Sequence, residues 1–139
     1  MEIECIEMKK AKEILNNLKL RPTEQRIAIT EILLNKKEVH VTAYSLEKML
    51  ANNKVFISRA TIYNNLNELS NKGFLKKVLV KKDKMWFDTN LSKHYHFYDE
   101  EEDRLVDIAE KEFQFIKFPK IPKGKTIKSF DIIINIKKV

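Results

Sequence analysis

Met8, Ala11, Leu15 and Leu18 recur at helical spacing with Lys9, Lys10, Lys12 and Glu13 between them, which predicts a short amphipathic helix. Arg21-Pro22 breaks that pattern. Thr23 is placed to cap a second helix, along which Ile27, Ile32 and Leu34 carry apolar character to about Asn35. Thr42 is placed to cap a third, with Ala43, Leu46, Met49 and Leu50 on one side. The most legible segment runs from Ser58, a capping residue, to Gly73, a glycine just past the helix end. In it Ile62, Leu66 and Leu69 form the stripe expected to be buried, while Arg59, Tyr63 and Asn67 share an outer face at steps of four.

After Gly73 the period shortens. Phe74 to Val80 is rich in β-formers, Lys81-Lys82-Asp83-Lys84 is a charged turn, and Met85 to Asp88 is a second strand, together a hairpin with a basic tip. Three helices followed by a hairpin describe a winged helix-turn-helix, here preceded by one extra helix. Beyond Asn90 strands dominate. His94 to Tyr98 alternates, Asp99 to Asp103 is an acidic turn, and Arg104 to Ile108 returns. Glu112 to Ile121 is aromatic, Pro-flanked and open between strand and loop. Phe130, Ile132, Ile134 and Ile136 alternate with Asp131, Ile133 and Asn135 as a half-buried strand. So apolar a sheet has few partners in its own chain, and pairing with a second copy is the economical cover; a homodimer is expected.

Composition narrows the class. With 139 residues the chain holds one ordinary domain or two small ones, and 43% hydrophobic residues with two Gly and three Pro leave no flexible linker. No apolar run approaches the roughly 20 residues that span a bilayer. The acidic opening Met1-Glu2-Ile3-Glu4 is unlike a secretory leader, so the expectation is a cytoplasmic protein with no membrane partner. Net charge is +7, and all of it sits in the first part: residues 1–84 carry 17 Lys and Arg against 10 Asp and Glu, while 85–139 balance. That asymmetry points the N-terminal part toward a polyanion, although a Lys-rich chain is also consistent with a merely basic surface.

The single cysteine, Cys5, excludes an internal disulfide and a Cys-rich zinc site within one chain, so any metal must use imidazole and carboxylate. The three histidines are His40, His94 and His96. His94 and His96 lie two apart on a strand and point to one face. Asp88 ends the preceding strand and Asp107 sits on the returning one. Three imidazoles and two carboxylates without sulfur suit Fe(II) or Mn(II), with Zn(II) also admissible. On spacing alone the same residues read as a partly exposed His pair with two strand-end aspartates. The acidic run Asp99 to Asp103 lacks the ligand rhythm of a calcium loop and reads as a solvated turn.

No nucleophile triad, phosphate loop or dinucleotide fingerprint is present, so an enzyme is not expected. For DNA, the start of the Ser58 helix is the part that meets base edges. Ser58 and Thr61 can donate to phosphates or bases, Arg59 can neutralise phosphate, Tyr63 can lie on thymine methyls, and Asn64 can pair with adenine. Arg21 and the wing residues Lys81, Lys82 and Lys84 would hold the backbone. Two other classes use the same residues: a metalloenzyme or metal store without operator preference, and a basic nucleoid or RNA-binding protein with an incidental His pair.

The segments Leu20-Arg-Pro-Thr-Glu-Gln-Arg26, His40-Val-Thr-Ala43, Ser58-Arg-Ala-Thr-Ile-Tyr-Asn-Asn-Leu-Asn67, and Trp86-Phe-Asp-Thr-Asn90 before His94-x-His96 occur in the order found in the ferric uptake regulators, which the chain resembles over nearly its whole length. The resemblance implies an α+β fold, with a winged-helix DNA-binding domain over 1–88 and a small α/β dimerisation and metal-sensing domain over 89–139. It implies a homodimer on AT-rich inverted-repeat DNA operators, regulation of iron homeostasis, and one regulatory divalent metal per chain on His40, Asp88, His94, His96 and Asp107. The Cys-x-x-Cys knuckle of most members is replaced by Asp99-Glu-Glu-Glu, so no structural zinc held by four cysteines is expected. Lys93 and Tyr95 stand where ligands of a second site would lie. Loss of the Cys pairs resembles the iron response regulator branch, which responds partly through haem; without a Cys-Pro motif, His94 and His96 are the candidate haem contacts. The two Asp ligands also resemble the peroxide-sensing branch, in which bound Fe(II) directs oxidation of a ligand histidine, the alternative reading.

Overall fold

The computed structural model describes residues 6–35, 39–81, 84–114 and 117–139; Cys5 and Lys82 lie outside them. The chain divides into two compact units, Met1–Leu91 and Ser92–Val139. The first contains α1 (Ile6–Asn17), α2 (Glu24–Asn35), β1 (His40–Val41), α3 (Ala43–Asn52), α4 (Arg59–Asn71), β2 (Lys76–Lys81) and β3 (Lys84–Asp88). From α2 onward this is the winged-helix order, with α1 packed on α2 in front of it. No helix of the described residues is long and apolar enough to cross a membrane.

The caps form as the residue types dictate. Thr42 accepts from the Ser45 amide at 3.0 Å while Ser45 Oγ accepts from the Thr42 amide at 2.9 Å, a reciprocal box that starts α3. Ser58 Oγ accepts from the Thr61 amide at 3.2 Å to start α4. Gly73, at φ 84°, ends it: the Phe74 amide reaches back to the Leu69 carbonyl and the Gly73 amide to Ser70. Ile62, Leu66 and Leu69 are buried and join Ala11, Leu15, Ile29, Leu46, Leu50 and Phe87 in one core.

Three expectations shift. Met8 stays exposed, because the core of α1 is completed by Ala11 and Leu15. α2 buries Ile27, Ile29, Thr30 and Leu33 rather than one stripe, since α1 and α3 both pack on it. Asn67 is not on the outer face: it is half-buried, and its Oδ1 is enclosed without a hydrogen-bond partner among the described residues. The exposed residues of α4 are Arg59, Ala60, Tyr63 and Asn64 in its first half and Glu68 and Asn71 in its second.

Arg26 fastens α2 to α4. Its guanidinium donates to Asn65 Oδ1 at 3.1 Å, to Glu68 Oε2 at 2.7 Å and to the Arg21 carbonyl at 3.1 Å, so one fork fixes two helices and the preceding loop. Nearby, burial and then the Glu7 carboxylate raise the pKa of Glu31 above its ordinary value near 4.5. A raised carboxyl pKa means that the folded state holds the proton more tightly than the unfolded one. This contribution to stability is therefore present below about 4.5 and is lost as pH rises through the elevated folded value. Glu31→Gln is expected to be more stable than the parent at neutral pH and to lose that advantage on acidification. Denaturant midpoints against pH check this; a difference that does not shrink toward low pH would refute it.

The second unit is a mixed sheet of order β5-β4-β6, with β4 (His94–Asp99), β5 (Arg104–Ala109) and β6 (Ile133–Ile136). β4 pairs antiparallel with β5 and parallel with β6. Its regular helical content among the described residues is a short 3-10 turn, Glu110–Glu112. The acidic turn organises itself: Asp99 Oδ1 accepts from the amides of Glu101 and Glu102 at 3.1 Å each, and the Tyr98 hydroxyl donates to Asp103 at 2.6 Å. The Pro-flanked segment after the turn forms no strand in its described residues; Phe113 and Phe118 tie it to the sheet through rings. Tyr95 meets Phe113 edge-on at 5.0 Å and stacks with Phe130 at 5.9 Å, and Phe118 meets Phe130 at 5.5 Å.

β6 departs from the expected half-buried alternation. Ile134 and Ile136 are exposed, and the register puts Val106, Phe97 and Ile134 in one row across the three strands. Of that row Phe97 is half-buried and the other two are exposed, so one apolar face of the sheet lacks cover within the described residues of the chain.

Candidate metal centre and nucleic-acid interface

Each unit assembles part of the predicted ligand set by strand register. In the first, β1 is only two residues long and pairs with the end of β3, His40 opposite Asp88 and Val41 opposite Phe87. His40 thus lies on a strand. Burial of Val39, Val41 and Phe87 in the core draws this segment into the sheet, and the Thr89 hydroxyl accepts from the Val39 amide at 3.1 Å. The result is His40 Nε2 at 3.3 Å from Asp88 Oδ2. Asp88 is fully buried, and its other oxygen accepts from the Asn90 amide at 2.9 Å.

In the second unit His96 stands directly opposite Asp107, and His94, two residues earlier, shares that face. Asp107 Oδ1 lies 3.4 Å from His94 Nε2 and 3.3 Å from His96 Nε2, with the two imidazole centroids 4.5 Å apart. The donor atoms of all three lie within 4.8 Å of one another, and both rings are buried.

The hydrogen bonding of this cluster bears on its fitness for an ion. His94 Nδ1 is 2.6 Å from the Ser92 carbonyl, which can only accept, so Nδ1 donates there and Nε2 is the ring nitrogen left to face Asp107. Asp107 Oδ1 thus faces the Nε2 atoms of both rings, so two nitrogens and one carboxylate oxygen converge on one place. A carbonyl that fixes the tautomer of a metal-ligating histidine is the usual outer support of such a site. The donors present, imidazole nitrogen and carboxylate oxygen, fit a divalent transition metal.

The expected DNA contacts occupy the first unit. Arg59, Tyr63 and Asn64 are on the open face of α4, with the Tyr63 ring braced edge-on against Phe87 at 6.2 Å. Ser58 and Thr61 are partly committed to the helix start, for Ser58 Oγ also donates to Thr61 Oγ1 at 2.9 Å. Arg21 is exposed beside the start of α2. Lys81 and Lys84 pair across the wing.

Pattern reading missed Ser92, Arg26 and Asn65, and also Tyr44 and Glu47, which touch Arg59. Only the spacing of Asn65 from Thr61, whose carbonyl accepts from Asn65 Nδ2 at 2.9 Å, left a local trace. The others depend on which helices and loops pack together.

The profile of the ferric uptake regulator family matches residues 17–135. The peroxide operon regulator of Bacillus subtilis (strain 168) is 37% identical over 102 residues, which cover 73% of this chain and 70% of that protein. The peroxide-responsive repressor PerR of Staphylococcus aureus (strain Mu50 / ATCC 700699) is 34% identical over 110 residues, 78% of this chain and 74% of that one. The fold resembles the Vibrio cholerae ferric uptake regulator with a TM-score of 0.72 at 18% identity, over 91% of this chain and 98% of that one. It also resembles the Pseudomonas aeruginosa ferric uptake regulator solved with manganese, with a TM-score of 0.66 at 15% identity, over 92% and 97%.

Proposed function

The chain belongs to the ferric uptake regulator family, and from that premise we propose that it regulates iron homeostasis by binding operators as a homodimer when one divalent ion is held by His40, Asp88, His94, His96 and Asp107. Proteins of this family are metal-responsive, DNA-binding transcription regulators, not enzymes. The observation that carries the metal reading is Asp107 Oδ1 facing the Nε2 atoms of two buried imidazoles, one with its tautomer set by Ser92. Half-buried His40 and buried Asp88 offer a further nitrogen and oxygen. Three imidazoles and two carboxylates favour Fe(II) or Mn(II), with Zn(II) a competitor during purification. The ion, when bound, supplies a positive centre for these donors. Burial of His94 and His96 favours a small ion over haem at these rings.

For the DNA partner, Arg59, Tyr63 and Asn64 would read an AT-rich inverted repeat, with Ser58 and Thr61 at the same helix start and Arg21, Lys81, Lys82 and Lys84 on the backbone. The charge excess of the first part supports this. The incompletely covered row of exposed Val106, half-buried Phe97 and exposed Ile134 supports a homodimer through the sheet. Such a regulator acts in the cytoplasm.

A second reading is peroxide sensing. Two observations favour it: both carboxylates are aspartates, and the relatives at 34–37% identity are peroxide regulators. One experiment separates the readings. Duplexes are selected from random sequence with Fe(II), Mn(II) or no metal, and the Fe(II) complex is then exposed to peroxide. An iron regulator enriches one inverted repeat only with metal and keeps it under peroxide. A peroxide sensor releases it and gains the mass of one oxygen atom on a ligand histidine. Enrichment of no sequence, or of the same sequence without metal, overturns the metal-responsive operator reading.

A further inference from the structure

Arg59 opens α4 and is its sole charged residue in the first turn, yet in the free protein its guanidinium is already engaged. Arg59 donates through one terminal nitrogen to Glu47 Oε1 at 3.1 Å, and its central carbon lies 4.6 Å from the ring centroid of Tyr44. Lys48 Nζ is 4.4 Å from the same ring. Tyr44, Glu47 and Lys48 are spaced three and four apart on α3, so one helix face presents a ring and a carboxylate to the first residue of the next. The Arg59 side chain remains 55% exposed, and Glu47 33%.

Such a bracket does two things at once. The carboxylate offsets the positive charge that a phosphate would otherwise find at the start of α4, where the helix dipole adds more. Ring and carboxylate together hold the planar fork in one orientation, leaving its remaining donors aimed outward. Random duplex, bound mainly through loose charge contacts, is attracted less by a cation that is already paired. A site that seats α4 closely in the groove uses the fixed fork directly, without ordering it first.

We propose that Glu47, with Tyr44, is a specificity-determining residue: it holds Arg59 for one aimed contact and withholds it from indiscriminate phosphate binding. This rests on the DNA-reading role of α4. The test uses the full-length metal-loaded protein, the selected operator and a scrambled duplex, across a salt series, for the parent, Glu47→Gln, Tyr44→Ala, Arg59→Ala and Glu47→Gln/Arg59→Ala.

Glu47→Gln is expected to bind the scrambled duplex roughly threefold more tightly, the scale of an exposed ion pair. Its salt slope there should steepen by about one unit as Arg59 takes up a phosphate. Operator affinity stays level or falls, so the ratio of operator to scrambled binding drops, and Tyr44→Ala lowers that ratio in the same direction. In the Arg59→Ala background, Glu47→Gln leaves the ratio unchanged. Equal gains on both duplexes, or the same shift without Arg59, make Glu47 a general surface charge and overturn the proposal. A parent that binds no duplex overturns the DNA reading itself, whereas a parent that binds with Glu47→Gln indistinguishable from it overturns only the role given to Glu47.

Discussion

His96→Ala is expected to lower divalent-metal affinity by at least roughly 100-fold, the upper end of what even outer-support changes at metal sites cost, and to hold operator binding at its metal-free level whatever ion is supplied. His96 is fully buried and shares Asp107 Oδ1 with His94, so no solvent-exposed side chain can take over its place. Metal titration and DNA-binding anisotropy, with and without Fe(II) or Mn(II), read both effects. His96→Gln, closer in volume, guards against loss of the fold as the cause. Asp88→Asn examines the other part of the set: one ion shared by all five residues requires that this change weaken the same ion, at one per chain. Two ions per chain, or unaltered affinity in Asp88→Asn, would separate the pair His40 and Asp88 from the cluster of the second unit.

Ile134→Asp is expected to convert the proposed homodimer into monomer at micromolar concentration. Ile134 is 37% exposed in the single chain and lies in one row with Phe97 and Val106. Fully burying an isoleucine contributes roughly 1.5–3 kcal/mol, of which about a third remains available to Ile134, and a twofold interface contains it twice. Together that corresponds to a dimer Kd weakened by about 5–30-fold, to which the cost of placing a carboxylate there is added. Sedimentation measures the mass, and operator affinity should fall with it, because an inverted repeat rewards two readers held together. A variant that remains dimeric would move the interface to another face of the sheet.

The helical half of the protein was legible because its signals are local. Thr42 with Ser45, Ser58 with Thr61 and Gly73 at φ 84° each act within four residues, and those positions carry the caps expected of them. His94 and His96 were readable as a same-face pair for the same reason, since strand alternation depends only on neighbours. Local pattern failed where packing between elements, rather than spacing along one helix, sets burial. Asn67 keeps the spacing of an outer residue but turns inward, and Met8 keeps that of an inner one but stays exposed.

What the residue order determined alone is therefore the identity of the donors, the positions of the helix ends, the alternation of the strands and the concentration of positive charge ahead of Met85. Tertiary structure decided which donors meet. His40 faces Asp88 because a two-residue strand is drawn against β3 by burial of Val41 and Phe87, and Asp107 faces two imidazoles through the register of β4 on β5. Arg59 meets Glu47 only because α3 and α4 pack together. Contacts between distant segments are set by the summed burial of many apolar side chains, a quantity that no short stretch of sequence contains.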